Sequence, residues 1–358
     1  MGRHRNTRRL LIAPAAALAL ALAGCTAATG PDGQASGQSG TPSSGGGEPV
    51  TIGLTYIPNV QFSPVYVADE DGLYAQQGLD ATIRHHGSDE GLFTALAAGE
   101  EDVVVASGDE VLPARDQGLD LVSIGAYYRT YPVTVIVADD SPIRSVEDLR
   151  GRRIGVPGEY GSSWYGLLAT LASASMTADD VQVVSIGYTQ QAALASGQVD
   201  AVVGFTNNEL VQFQQAGTPV RTVSPAGATM PLVGASLITT RAWLDAHPQQ
   251  ARAVVAGTVA GIRSVVGDPG HAVDVTRDFD DSLSGEAALT GARAVLDATI
   301  LLFTGATDSA GASADAVTGE QDLQRWADMG AFLQGVPGLL SAAPDVDAAV
   351  TNDAVPLP

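Results

Sequence analysis

The sequence contains no lysine, so all 18 of its basic residues are arginines. A P-loop needs a lysine on the nucleotide phosphates, and a pyridoxal phosphate enzyme needs one for its Schiff base. The sequence also lacks HExxH, CxxC, GxSxG and GxGxxG motifs, so it offers no named nucleophile, metal site or dinucleotide loop. We therefore expect no enzymatic activity, no cofactor and no metal.

Basic residues are scarce as a class. The chain has 40 acidic residues against those 18 arginines, which gives a formal net charge of −22. Such a surface repels phosphate backbones and anionic lipid headgroups, so we expect no nucleic-acid partner. The 358 residues, 45% of them hydrophobic, are enough for two domains with separate cores.

Cysteine occurs once, at Cys25, which excludes a disulfide within the chain. Four arginines and an apolar run precede it, and Leu-Ala-Gly-Cys at residues 22–25 resembles a bacterial lipobox. We predict a signal peptide at residues 1–24 and lipidation of Cys25, which would anchor the protein on the outer face of the bacterial cytoplasmic membrane. A retained N-terminal anchor is the alternative. Residues 25–48 are rich in Gly, Ser, Thr and Pro, which predicts a disordered tether.

From Pro49 onward, strand and helix patterns alternate, which predicts an α/β fold with mostly parallel sheets flanked by helices. We expect a two-lobe clamshell with a hinge. Residues 49–138 and 235–343 would form the first lobe, and residues 139–234 the second. The chain would cross between the lobes near Ala138–Pro142 and Gly227–Gly234.

Short segments between Val50 and Pro269 share their order and spacing with a known family. They are Tyr56–Asn59, Val67–Tyr74, Gln77–Asp80, Leu96–Asp102, Val146–Gly155, Val156–Gly161 and Ala193–Ala201. Together they resemble binding proteins for thiamine pyrimidine precursors. The wider superfamily includes riboflavin, alkanesulfonate and nitrate binders and the eukaryotic thiamine pyrimidine synthase.

This resemblance implies the type II fold of periplasmic binding proteins and a role as the solute-binding component of an ABC uptake transporter. Its permease and ATPase would be separate chains, and the protein would be a monomer. The implied ligand is a pyrimidine precursor of the formylaminopyrimidine or hydroxymethylpyrimidine type. Riboflavin is the alternative, and an alkanesulfonate, nitrate or a sensory or adhesion role ranks lower.

The enzyme of the superfamily provides a further comparison. Its lysine and catalytic histidine would fall near Ala106 and Glu110, and its cysteine-rich motif near Gly227–Ala235. None of these catalytic residues is present here. The resemblance therefore implies a binding protein and makes a pyrimidine-synthesis enzyme improbable.

Four loops at strand ends are expected to project into the cleft between the lobes. Aromatic faces there would stack on a flat heterocycle, and carboxylates and amides would contact its N–H groups. The predicted ligand-binding residues are Tyr56, Asn59, Gly108, Asp109, Glu159, Tyr160, Ser162, Ser163, Trp164, Phe205, Asn207, Asn208 and Glu209.

Each of these residues also has a structural interpretation. Ser162 or Ser163 is expected to cap the following helix, and Asn207 or Asn208 is as good a helix cap as a ligand contact. The aromatic residues could belong to the core and the acids could be solvated. The two acids Glu159 and Glu209, at strand ends that face the cleft, nevertheless disfavour sulfonate or nitrate as the ligand, because these anions prefer arginine.

Overall fold

The computed structural model describes residues 46–87, 90–225 and 230–356, which belong to one compact unit. The predicted signal peptide, the lipidation site Cys25 and all but the last three residues of the predicted tether lie outside these residues. The first strand begins at Glu48, inside the predicted tether, and the Glu48 amide donates to the Gly78 carbonyl at 2.7 Å.

Ten strands form two sheets in the described part of the chain. In chain order they are β1 (Glu48–Leu54), β2 (Leu79–His85), β3 (Val103–Ser107), β4 (Leu121–Ala126), β5 (Val133–Ala138), β6 (Arg153–Val156), β7 (Gln182–Ser185), β8 (Ala201–Phe205), β9 (Val220–Val223) and β10 (Ala235–Thr240). The first sheet has the order β2-β1-β3-β10-β4, and the second has the order β7-β6-β8-β5-β9. In each sheet one strand, β10 or β5, runs antiparallel to its neighbours.

Helices flank both sheets. They are α1 (Ser63–Glu70), α2 (Leu73–Gln76), α3 (Thr94–Ala98), α4 (Val111–Asp116), α5 (Gly161–Ser173), α6 (Gln190–Ala195), α7 (Glu209–Gln215), α8 (Arg241–Ala246), α9 (Pro248–Gly267), α10 (Pro269–Thr276), α11 (Glu286–Thr304), α12 (Leu323–Gly335) and α13 (Val346–Ala349). The α/β architecture with two lobes, one on each sheet, agrees with the fold that the alternating pattern predicts.

The prediction was wrong about strand β5, which it assigned to the first lobe. Val135 of β5 pairs with Val203 on one side and Val223 on the other, both in the second sheet. The chain therefore crosses between the sheets before this strand, after Ala126, and not near Ala138–Pro142. An apolar run predicts that a strand is buried but does not say which sheet buries it.

Helices α1 and α9 pack closely against the first sheet. A Cβ atom at Gly261 of α9 would lie 2.1 Å from the Pro64 carbonyl oxygen of α1, so the two backbones approach through a position without a side chain. Nearby, the hydroxyl groups of Tyr74 and Thr258 lie 2.8 Å apart and hydrogen-bond. This face of the first lobe thus depends on a helix pair that tolerates little added volume.

The C-terminal helices also belong to the first lobe. Helix α11 has the length and apolar composition of a membrane-crossing helix, yet Leu296 and Phe303 are buried in the core of this lobe. Val350 forms a parallel bridge with Ser123 of β4, and Ala354 is buried. The acidic tail after residue 343 therefore extends the first lobe.

Candidate functional site

A cavity of about 540 Å³ lies between the two lobes. The first lobe contributes α3, α4 and the residues before them, including Phe93 and Glu110, and the second lobe contributes Tyr160, Gly161 and Tyr165. The loop after β3 thus faces the loop after β6. Ligands of open α/β sheets bind at this carboxyl edge of the strands. A second cavity, of about 140 Å³, contains none of the predicted site residues.

Asp109 joins the lobes. Its side chain is fully buried, and its carboxylate accepts hydrogen bonds from the Tyr131 hydroxyl at 2.6 Å and the Ser162 hydroxyl at 2.9 Å. Burial raises the pKa of Asp109 to about 7, although these two hydrogen bonds favour its ionised form. Asp109 was predicted to contact ligand, and the structure places it instead at the contact between the lobes.

The neighbouring carboxyl group, that of Glu110, faces the cavity. Its Oε1 atom lies 2.8 Å from where a Cβ atom would stand on Gly161, whose φ of +69° suits glycine. Burial raises the pKa of Glu110 to about 8, and the adjacent Asp109 contributes to the rise. Sequence reasoning named the loop that holds Glu110 but omitted this residue from the predicted site.

Three tyrosines leave large aromatic surfaces exposed near this carboxyl group. The exposed fractions are 48% for Tyr56, 60% for Tyr160 and 76% for Tyr188. Partial burial raises the pKa of Tyr188, and Tyr160, Tyr56 and Glu110 raise it further, which locates these groups near one another. Tyr188 was missed in the sequence, although its position in the short loop between β7 and α6 was an available signal.

The prediction that Ser162 or Ser163 caps helix α5 was wrong. Helix α5 begins at Gly161, and its N-cap residue, Tyr160, makes no side-chain capping bond. The Ser162 hydroxyl donates to Asp109 in the other lobe, and Ser163 is buried. A partner 53 positions away in the chain, as Asp109 is from Ser162, cannot be inferred from helix-start patterns.

The loop after β8 is held by its own hydrogen bonds. Glu209 accepts from the Phe205 amide at 2.7 Å and from the Asn208 side chain, whose own oxygen accepts from Gln212. Asn207 is fully buried and donates to the Tyr128 and Thr299 hydroxyls of the first lobe. Neither asparagine caps α7 through its side chain. These residues are engaged in the fold, and none of them lines the 540 Å³ cavity.

The four remaining predicted residues, Gly108, Asn59, Trp164 and Glu159, are not among the residues that line the cavity. Gly108 is buried, and its amide donates to the Gly234 carbonyl, so it belongs to the interior of the loop. The Asn59 side chain accepts from the Gln61 amide and caps a short 3-10 helix. Trp164 packs half-buried against the core, and Glu159 is exposed.

His85 and His86 are adjacent in the chain but have different hydrogen-bond partners. His85 bonds the Tyr66 hydroxyl and the Tyr56 carbonyl oxygen, each at 3.2 Å, whereas buried His86 bonds Glu101. Within residues 46–87, 90–225 and 230–356, no group of three or more His, Cys, Asp or Glu residues is arranged to hold a metal ion.

The two sheets and the cleft between their strand ends define a periplasmic binding protein fold. The alkanesulfonate-binding protein SsuA from Xanthomonas axonopodis pv. citri, solved with bound MOPS, matches with a TM-score of 0.63 at 20% sequence identity. The match covers 86% of this chain and 99% of that one. At this identity the likeness shows the fold alone.

The chain belongs to the NMT1/THI5-like family, whose profile matches residues 59–272. The riboflavin-binding protein RibY of Chloroflexus aurantiacus is 33% identical over 86% of this chain and 86% of its own. The formylaminopyrimidine-binding protein of Halalkalibacterium halodurans is 26% identical over 64% of this chain and 69% of its own. Other relatives are named as pyrimidine phosphate synthases. These matches confirm the family resemblance in the sequence.

Proposed function

We propose that this protein is the extracytoplasmic solute-binding component of an ABC uptake transporter and captures a flat heterocycle between its lobes. The observation that carries this proposal is a group of exposed tyrosines from both lobes. Tyr160 of the second lobe lines the inter-lobe cavity, and Tyr188 of the same lobe lies near Tyr160 and near Tyr56 of the first lobe. Aromatic faces on both sides of a cleft suit a planar ring. Closure of the lobes on that ring would give the permease a shape to recognise.

Riboflavin is the ligand that this arrangement favours. Three phenol rings offer more stacking surface than a single pyrimidine ring needs, and the isoalloxazine ring of riboflavin is large and flat. RibY, which matches 86% of the chain, supports this choice. A thiamine pyrimidine precursor is the second candidate, supported by the formylaminopyrimidine-binding relative.

A binding role without catalysis is supported by the residues that are present. The chain has no lysine, and its only cysteine is Cys25. The described residues that line the cavity are mostly aromatic and aliphatic, with the polar residues Thr94 and Gln117 and a single acid, Glu110. The remaining parts of the proposal are lipid anchoring at Cys25, separate permease and ATPase chains, and a monomeric state.

The test is ligand binding by the chain from Gly46 onward, which contains both sheets. The panel is riboflavin, formylaminopyrimidine, hydroxymethylpyrimidine, thiamine and an alkanesulfonate. We expect riboflavin to bind most tightly, as measured by titration calorimetry and quenching of flavin fluorescence. Tight binding of the sulfonate alone would contradict the proposal.

Replacing Tyr160 or Tyr188 by alanine should weaken binding of riboflavin by about 10- to 100-fold, because a stacked aromatic ring contributes about 1–3 kcal/mol. Phenylalanine at the same position is the matched control and should stay within about threefold of wild type, since it keeps the ring. Both tyrosines are exposed, so the midpoint of urea unfolding should not move. Unchanged affinity in both alanine variants would rule out the tyrosine surface as the site.

A further inference from the structure

Glu110 has an unusual environment for an acid. It lies half-buried at the end of the short 3-10 helix Gly108–Glu110, close to Gly161 of the other lobe, and both residues line the cavity. Its side chain makes no hydrogen bond or ion pair with another described residue, and the described residues that line the cavity include no Arg or His. A carboxylate in this position would be a desolvated charge without a partner.

The neighbouring acid, Asp109, does have hydrogen-bond donors. Asp109 receives hydrogen bonds from the Ser162 and Tyr131 hydroxyls, so of the two carboxyl groups it is the better stabilised anion. Two adjacent negative charges in one buried site repel, and the group with fewer donors keeps its proton. The titratable groups around Glu110 are otherwise phenols, none of which supplies a positive charge: Tyr131, Tyr160, Tyr165 and Tyr188.

We propose that Glu110 determines ligand specificity as a neutral carboxylic acid. Its O–H would donate to an acceptor on the ring edge, and its carbonyl oxygen would accept an N–H from the adjacent ring position. The ligand class is a flat heterocycle with an acceptor and a donor side by side, as on the imide edge of a pyrimidinedione or the amine edge of an aminopyrimidine. This inference rests on the proposed function and names the ring edge that the cleft recognises.

The protonation state of Glu110 predicts the direction in which ligand affinity changes with pH. Because burial raises the pKa of Glu110 to about 8, the binding form is present below this pH and is lost as the pH rises through it. The affinity for riboflavin should be constant near pH 6 and fall above about pH 8, by up to about tenfold for each further pH unit. Calorimetry in two buffers with different ionisation heats should detect uptake of about one proton per ligand near pH 9 and none near pH 6.

Glu110→Gln is the matched variant, since an amide keeps one donor and one acceptor but cannot ionise. It should bind riboflavin within about fivefold of wild type near pH 6 and should lose the alkaline fall in affinity. Glu110→Leu, which has neither donor nor acceptor, should bind at least about tenfold more weakly than wild type near pH 6 and should also lack the alkaline fall in affinity.

The opposite pattern would overturn the inference. An ionised Glu110 would give a wild-type affinity that rises through pH 8 and a Gln variant that is weak at every pH. A pH-independent wild-type affinity without proton uptake would also refute it, and this measurement needs no variant. If wild type binds no heterocycle of the panel near pH 6, the proposed function fails together with the inference. If wild type binds riboflavin near pH 6 without the predicted pH dependence, only the role of Glu110 fails.

Discussion

Gly261→Ala is expected to lower the free energy of unfolding by about 3 kcal/mol, the upper end of the usual cost of overpacking. The added Cβ atom would lie 2.1 Å from the Pro64 carbonyl oxygen and 3.0 Å from the Ala68 Cβ atom, both in α1. The first of these is a backbone atom and cannot rotate away, so α1 and α9 must separate. Since α1 follows the loop that carries Tyr56, the affinity for ligand should fall too. Urea unfolding and riboflavin titration measure the two effects.

Gly267→Ala is the control on the same helix. Apart from its two chain neighbours and the backbone of its own helix, no atom lies within 4 Å of a Cβ atom at this position. The substitution should be neutral or stabilise by up to about 1 kcal/mol, because alanine has a higher helix propensity than glycine. Equal stability of the two variants would show that the close approach of α1 and α9 does not limit the fold.

Glu101→Ala should also cost about 3 kcal/mol, by disrupting a buried ionic group. The fully buried Glu101 carboxylate accepts hydrogen bonds from Arg84 at 2.7 Å and His86 at 2.9 Å. It lies directly over Gly53, where a Cβ atom would come within 2.2 Å of it. Its removal leaves His86 buried without this acceptor. His85 next in the chain holds the Tyr56 carbonyl, so ligand affinity should fall with stability.

Glu90→Ala removes the other acidic partner of Arg84, which is partly exposed. Glu90 bonds the other terminal nitrogen of Arg84 at 2.8 Å, but both of these side chains are partly exposed. Surface ion pairs contribute up to about 1 kcal/mol, so this loss should be well below that of Glu101→Ala. If the two alanine variants lose the same stability, the buried position of Glu101 has no special role.

Strand positions were predictable from the sequence because they depend on short apolar runs. The sequence patterns predict strands at Leu121–Ala126, Val133–Ala138, Val220–Val223 and Ala235–Thr240, and β4, β5, β9 and β10 have these bounds. Helix extents were less predictable. The pattern from Ser63 to Gly78 predicts a single helix, whereas the structure has two, α1 and α2, separated at Gly72, whose φ is +68°. The sheet to which β5 belongs depends on pairing between distant residues, which a local pattern does not contain.

The site was also partly predictable, where its residues follow short local patterns. Aromatic residues after strand ends indicated Tyr56 and Tyr160, which are exposed beside the cleft. The roles of Asp109 and Ser162 depend on each other across 53 positions and two lobes, so neither residue could be assigned alone. Glu110 was not among the predicted site residues, because its significance comes from burial beside Asp109, which a local pattern does not contain.

The position of β10 has a consequence for how the chain reaches this structure. Strands β3 and β4 belong to one sheet, yet β10 lies between them and pairs with both. All strands of the second sheet, from Val133 to Val223, are synthesised before β10. During N-to-C synthesis the second lobe is therefore complete while the first sheet still lacks its fourth strand. Because its contacts are closer in sequence, the second lobe should fold first, and insertion of β10 should be the late step that completes the protein.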